Sequence, residues 1–169
     1  ARLSGLISDR ADATPPFTQD RRRFPRTRNT PPAPTIHSAN RPEWAVADLA
    51  AIAAGAIPTG IFVTNTPEQC AYVLDHTEAT IAVADNAEAL AKLVAARGGA
   101  PRLATIVVFD LDESAEREAG DGLPAVVSWR RLLELGAAAG DEGVRQRVAM
   151  QRESDVATLI YTSGTTGSP

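Results

Sequence analysis

The chain has 169 residues, 44% of them hydrophobic and 22% charged, enough for one ordinary globular domain and too few for two. Its 17 Lys and Arg against 21 Asp and Glu leave a formal charge of -4, which gives no support to a nucleic-acid-binding face built on clustered cations. The longest mostly apolar run, 44–63, is broken by Asp48, Gly55, Pro58 and Gly60 and reads as no membrane span, while the single cysteine, Cys70, excludes an internal disulfide framework and suits a reducing, cytoplasmic setting.

Residues 1–35 carry seven arginines and six prolines against Asp9, Asp12 and Asp20, so this segment holds +4 and the remainder -8. Thr14-Pro15-Pro16, Arg21-Arg22-Arg23 and Thr30-Pro31-Pro32-Ala33-Pro34 follow neither a helical nor a strand period. Prolines this dense remove donors and forbid helix interiors, which predicts a disordered or extended segment. The acids and prolines fit a targeting peptide poorly.

From Thr35 onward the pattern becomes regular. Asn40-Arg41-Pro42-Glu43 sets a capping side chain three residues ahead of a glutamate, with Trp44, Ala47, Ala51 and Ala54 at helical spacing and Gly55 as the stop. The apolar stretch from Ile57 to Val63, which contains Pro58 and Gly60, predicts a short or edge strand. Thr66-Pro67-Glu68-Gln69 is a capping box with proline at the first helical position; Cys70, Val73, Leu74 and Thr77 follow at i, i+3, i+4 and i+7. Residues 80–84 form a short β-rich run, and Asp85 with Glu88 reads as another capping pair before Leu90, Leu93 and Val94, ending near Gly98. A buried strand is predicted over 104–109 and a charged surface loop over 110–124. Ser128 is placed to cap a helix from Trp129 through Leu135, residues 143–151 to form a further short helix, and residues 156–161 (VATLIY) a last strand. Strands alternating with helices of about ten residues predict an α/β layered domain with a largely parallel sheet.

The run Tyr161-Thr162-Ser163-Gly164-Thr165-Thr166-Gly167-Ser168-Pro169 contains five Ser or Thr and two glycines. Glycines let a backbone turn sharply and bring its N–H groups close to an oxyanion, and hydroxyls add donors without bulk or fixed charge. Any flexible linker has a similar composition, but a loop of this kind directly after a buried strand sits where open α/β sheets bind ligands. The G-x-x-x-x-G-K-[ST] spacing of P-loop NTPases is absent.

With Leu159 and Ile160 in front of it, this run resembles the AMP-binding signature of the adenylate-forming enzymes, a superfamily of acyl-CoA synthetases, luciferases and peptide-synthetase adenylation domains. His37-Ser38-Ala39-Asn40-Arg41-Pro42-Glu43-Trp44, Ala54-Gly55-Ala56-Ile57-Pro58 and Thr66-Pro67-Glu68-Gln69 resemble the start of the long-chain fatty acyl-CoA synthetase branch, and the likeness covers 36–169. It implies the opening portion of an AMP-binding large domain. The implied reaction uses ATP with Mg2+, a long-chain fatty acid and coenzyme A, and passes through an acyl-adenylate. It also implies that Thr162, Ser163, Gly164, Thr165, Thr166 and Gly167 wrap the β- and γ-phosphates. The family's adenine pocket, metal-holding glutamate, ribose-binding aspartate and catalytic lysine belong to later parts of its pattern, so no catalytic and no metal-ligating residue carries over onto this chain. On that reading the chain is a truncated product, inactive by itself, whose complete enzyme is open to peripheral association with membranes.

Alternatives stay open: a fatty acyl-AMP ligase, an amino-acid adenylation domain, or a non-catalytic chain that binds nucleotide phosphate or regulates a partner. Sixteen arginines to one lysine and 31 alanines suit a GC-rich coding sequence. Residues 1–35, where the likeness is absent, are therefore expected to be an out-of-frame stretch.

Five further residues are read as structural. His37 stands at a strand end without a serine nucleophile motif or paired carboxylates, and His76 suits the C-terminal dipole of its helix. Cys70 lies on an apolar helix face, and Trp44 and Trp129 each open a helix and anchor it to the sheet. Two distant histidines and one cysteine make no metal-ligand set.

Overall fold

The computed structural model describes residues 33–162. The short β-branched and alanine runs pair side by side, and the capped segments pack across them as helices: β1 (Pro34–His37), α1 (Pro42–Ala53), β2 (Thr59–Ile61), α2 (Pro67–His76), β3 (Ile81–Ala84), α3 (Ala87–Ala96), β4 (Thr105–Val108), β5 (Ala125–Ser128), α4 (Trp129–Ala139) and α5 (Glu142–Met150). The five strands form one sheet in the order β2-β1-β3-β4-β5, every pair parallel. The α/β layered fold expected from the alternation of strands and helices is the fold the chain adopts.

Strand order dictates where the helices lie. The chain steps from β1 outward to β2, doubles back past β1 to β3 and continues to β4. Parallel crossovers keep one hand, so this reversal of travel puts α1 on one face of the sheet and α2 and α3 on the other. Successive strand residues alternate between those faces. Ala82, Ala84, Ile106, Val108 and Val126 meet Cys70, Val73 and Leu74 of α2 and Ala89, Leu93 and Ala96 of α3. Ile36, Val83 and Val107 point the other way and pack with Phe109 against Trp44 and Ala47 of α1 and Trp129 at the head of α4. Cys70 is fully buried, and that burial pushes its thiol pKa up to about 11, so the residue serves packing.

The helix ends follow the expected chemistry in part. At α2 the Thr66 hydroxyl accepts from the Gln69 N–H, and the Gln69 side chain accepts from the Thr66 N–H, a complete capping box. Ser128 caps α4 by accepting from the Arg131 N–H. At α3 the cap is Asn86, which accepts from the Ala89 N–H; Asp85 is turned back to accept from the Ala39 N–H at 3.1 Å. Asn40 does not cap α1. Arg41 occupies that position and makes no side-chain cap bond. The helix starts one residue later than that cap requires, with Pro42 as its first residue; the Arg41 Nε holds the Glu43 carboxylate at 2.8 Å. The same guanidinium forks onto Asp110 at 2.7 and 3.0 Å and lies 5.2 Å from the centre of the Phe109 ring. Gly55 adopts φ +77°, and bonds from the Gly55 N–H to the Ile52 carbonyl and from the Ala56 N–H to the Ala51 carbonyl finish α1 as a Schellman motif.

Several boundaries depart from expectation. Pro34 and Thr35, grouped on composition with the leading segment, are the first residues of β1; residues 1–32 lie outside the described residues. The stretch ending at Val63 narrows to Thr59–Ile61, with Phe62 and Val63 exposed. β5 was not foreseen; its four residues follow a charged, glycine-containing loop and run straight into α4, leaving too short a window for a period to register. The stretch over 156–161 makes a single bridge, Leu159 to Thr59, and no longer ladder.

Candidate functional site

The chain enters its Ser/Thr/Gly run along the outer edge of β2. There the Leu159 N–H donates to the Pro58 carbonyl at 3.1 Å, the Thr158 hydroxyl donates to the same carbonyl at 3.0 Å, and Leu159 bridges Thr59 in parallel register. This places the segment beside β2 as a minimal sixth strand, with Ile160 pointing into solvent.

Tyr161 then turns inward against α2. Its hydroxyl shares a 2.5 Å hydrogen bond with Nδ1 of His76, in the last turn of that helix. The His76 ring stacks on Tyr72 one turn earlier, with centroids 5.7 Å apart and planes 10° apart. The Tyr161 ring meets both edge-on, 6.3 Å from Tyr72 and 5.7 Å from His76, an arrangement that suits the ring quadrupoles. Two rings and a hydrogen bond therefore hold the residue immediately before Thr162. Of the expected phosphate-binding residues, Thr162 is described and exposed; Ser163, Gly164, Thr165, Thr166 and Gly167 lie outside the described residues.

A second cluster occupies the crevice between the ends of β1 and β3, where the direction of winding switches and open α/β sheets commonly bind ligands. His37, Val63, Asp85, Asn86, Glu88 and Lys92 line a cavity of about 70 Å³ there. His37 is buried, with Nδ1 3.4 Å from the Ile61 carbonyl, and desolvation lowers its pKa, which favours the neutral ring. Lys92 donates to the Val63 carbonyl at 3.0 Å and pairs with Glu88 at 3.2 Å. Small-molecule pockets generally run to about 300 Å³ and more, so the cavity formed by these described residues is below that size, and Lys92 and Glu88 within it pair with one another. Among the described residues no three His, Cys, Asp or Glu side chains converge on a common point. No helix among the described residues is long and apolar enough to cross a membrane.

Sequence reading assigned His76 to the helix dipole and missed its bond to Tyr161. The two residues are 85 positions apart, and no local period links them.

Comparison with known proteins supplies the family. The model of the AMP-binding enzyme family matches residues 35–169. The long-chain-fatty-acid–CoA ligase ACSBG2 of Gallus gallus is 37% identical over 131 residues, 77% of this chain and 16% of that protein. The long-chain-fatty-acid–CoA ligase FadD15 of Mycobacterium bovis is 37% identical over 134 residues, 79% of this chain and 20% of that protein. The chain thus spans no more than a fifth of the length of these relatives. A crystal structure of the anthranilate CoA ligase AuaEII in complex with anthranoyl-AMP shares the fold, with a TM-score of 0.54 at 21% identity over 82% of this chain and 24% of that one. A parallel α/β sheet leading into a Ser/Thr/Gly run, matched by the family model over four-fifths of the sequence, identifies the chain as a member of the AMP-binding enzyme family.

Proposed function

We propose that this chain supplies the opening part of the large N-terminal domain of an ATP-dependent, AMP-forming acyl-CoA ligase whose acyl substrate is a long-chain fatty acid. In that reaction a carboxylate oxygen attacks the α-phosphorus of ATP and displaces pyrophosphate, giving an acyl-adenylate. The thiol of coenzyme A then attacks the acyl carbon, forms the thioester and releases AMP. One observation carries the reading: the family match runs through the Tyr161–Pro169 sequence, whose glycines and hydroxyls are the chemistry needed to grip a polyphosphate. Thr162, Ser163, Gly164, Thr165, Thr166 and Gly167 are assigned to the β- and γ-phosphates as ligands, with no role as bases. The acyl class rests on the matched relatives, which are long-chain-fatty-acid ligases. Because these 169 residues supply phosphate contacts and no group for acyl transfer, they are proposed to carry out no adenylation by themselves.

Calorimetric titration of the chain with ATP at fixed Mg2+ tests the assignment. Saturable binding is expected, and Thr165→Ala is expected to weaken it about 3- to 10-fold, the loss of one hydrogen bond of ordinary net strength. Absence of saturable binding by the unmodified chain refutes the phosphate assignment.

A further inference from the structure

From the Tyr161–His76 contact we infer that His76 of α2 is a positioning residue for the phosphate-binding run: it fixes the point and direction at which the chain leaves the sheet edge at Thr162. The inference rests on the phosphate-binding reading of that run and adds a residue to which neither the signature nor the comparisons assign a role.

Glycine-rich backbone is costly to order, because each glycine gives up more conformational freedom than any other residue. A fixed take-off point for glycine-rich backbone removes part of that cost. On the strand side the support is thin: one backbone hydrogen bond and one hydroxyl bond tie 158–159 to Pro58, and Ile160 is exposed. Tyr161 is where the chain is gripped. Its hydroxyl meets His76 Nδ1 at 2.5 Å and its ring sits edge-on to both Tyr72 and His76. His76 is in turn held flat on Tyr72, and α2 is a rigid support, capped at its start by the Thr66 box and packed into the core through Cys70, Val73 and Leu74. The grip thus connects the core directly to the residue preceding Thr162, and Nδ1 is the atom that makes it directional.

Tyr161→Phe removes the hydroxyl and keeps the ring; His76→Ala removes the imidazole; His76→Asn keeps a polar atom near the position of Nδ1. Two readouts are taken on the full chain: amide hydrogen exchange at Thr162 without nucleotide, and Mg-ATP affinity by calorimetry. Faster Thr162 exchange and about 3- to 10-fold weaker Mg-ATP binding are expected for Tyr161→Phe and His76→Ala. His76→Asn is expected to restore most of both, and the double variant to lose no more than either single one, because both remove the same bond. Unchanged exchange at Thr162 in Tyr161→Phe overturns the inference. So does faster exchange with unaltered Mg-ATP affinity, which leaves the contact a packing feature. Absence of binding by the unmodified chain removes the phosphate reading and the inference with it, and the exchange data then still report whether the bond holds Thr162.

Discussion

His37 ends β1 with its imidazole buried beneath the crevice between β1 and β3. Desolvation is the largest influence on it and lowers its pKa; Lys92 acts in the same direction, while the Ile61 carbonyl, Asp85 and Glu88 act against them. An unfolded histidine titrates near 6.5, so between that value and the lower folded pKa the unfolded chain binds more protons than the folded one. Stability therefore rises with pH across this window. The contribution is fully present above about 6.5 and is lost as pH falls toward the folded pKa, with a slope of at most about 1.4 kcal/mol per pH unit for one proton. Urea unfolding at pH values on either side of 6.5 should show this decline in the unmodified chain and a flatter profile in His37→Gln. Equal slopes in the two proteins would assign the acid sensitivity to other groups.

At the scale of the elements, two capping signals that look alike in sequence separate in structure. Thr66 closes a reciprocal box with Gln69, whereas Asn40 stands one residue ahead of the cap position, which Arg41 occupies with its guanidinium on Glu43 and Asp110. Thr66→Ala is therefore expected to cost about 1 kcal/mol of folding stability. Asn40→Ala, whose side chain caps no helix, should stay within about 0.5 kcal/mol. Denaturant midpoints of the two variants check the contrast, and similar losses would contradict it. The same pair shows what a single sequence reveals. Thr66, Pro67 and Gln69 act within one turn and were legible; Arg41 answers to Asp110, which lies 69 positions away. Strands β3 and β4 were legible because buried parallel strands are continuous apolar runs, whereas β1, with Pro34, Thr35 and His37 around the single aliphatic Ile36, had no such run and was split by the composition boundary at residue 35. β5 was hidden by its brevity, and the run over 156–161 promised more pairing than its single bridge delivers because the only strand it meets among the described residues is the three-residue β2. The Ser/Thr/Gly composition announced the candidate site, whereas its anchor joins Tyr161 to a helix that closes 85 positions earlier and has no local signature.

For the molecule as a whole, the two faces of the sheet are unequally covered. α2 and α3 seal one face with a dense apolar layer; among the described residues the other has α1 and little beyond Trp129 at the head of α4. α4 is strongly two-sided in sequence, yet none of its residues is buried, and Leu132, Leu133 and Leu135 stay exposed along with Val144, Val148 and Met150 of α5. Strand edges are a smaller liability. The Arg117 N–H and carbonyl pair with Val126 on one side of the sheet, and the Leu159 N–H reaches the Pro58 carbonyl on the other. Self-association of the isolated chain should therefore run through apolar helix surface more than through strand addition. Analytical ultracentrifugation over a wide range of concentration is expected to show mass increasing with concentration, and Leu133→Lys to reduce it while leaving the circular dichroism spectrum unchanged. A compact monomer at every concentration would contradict this reading, and association insensitive to Leu133→Lys would return the cause to the strand edges.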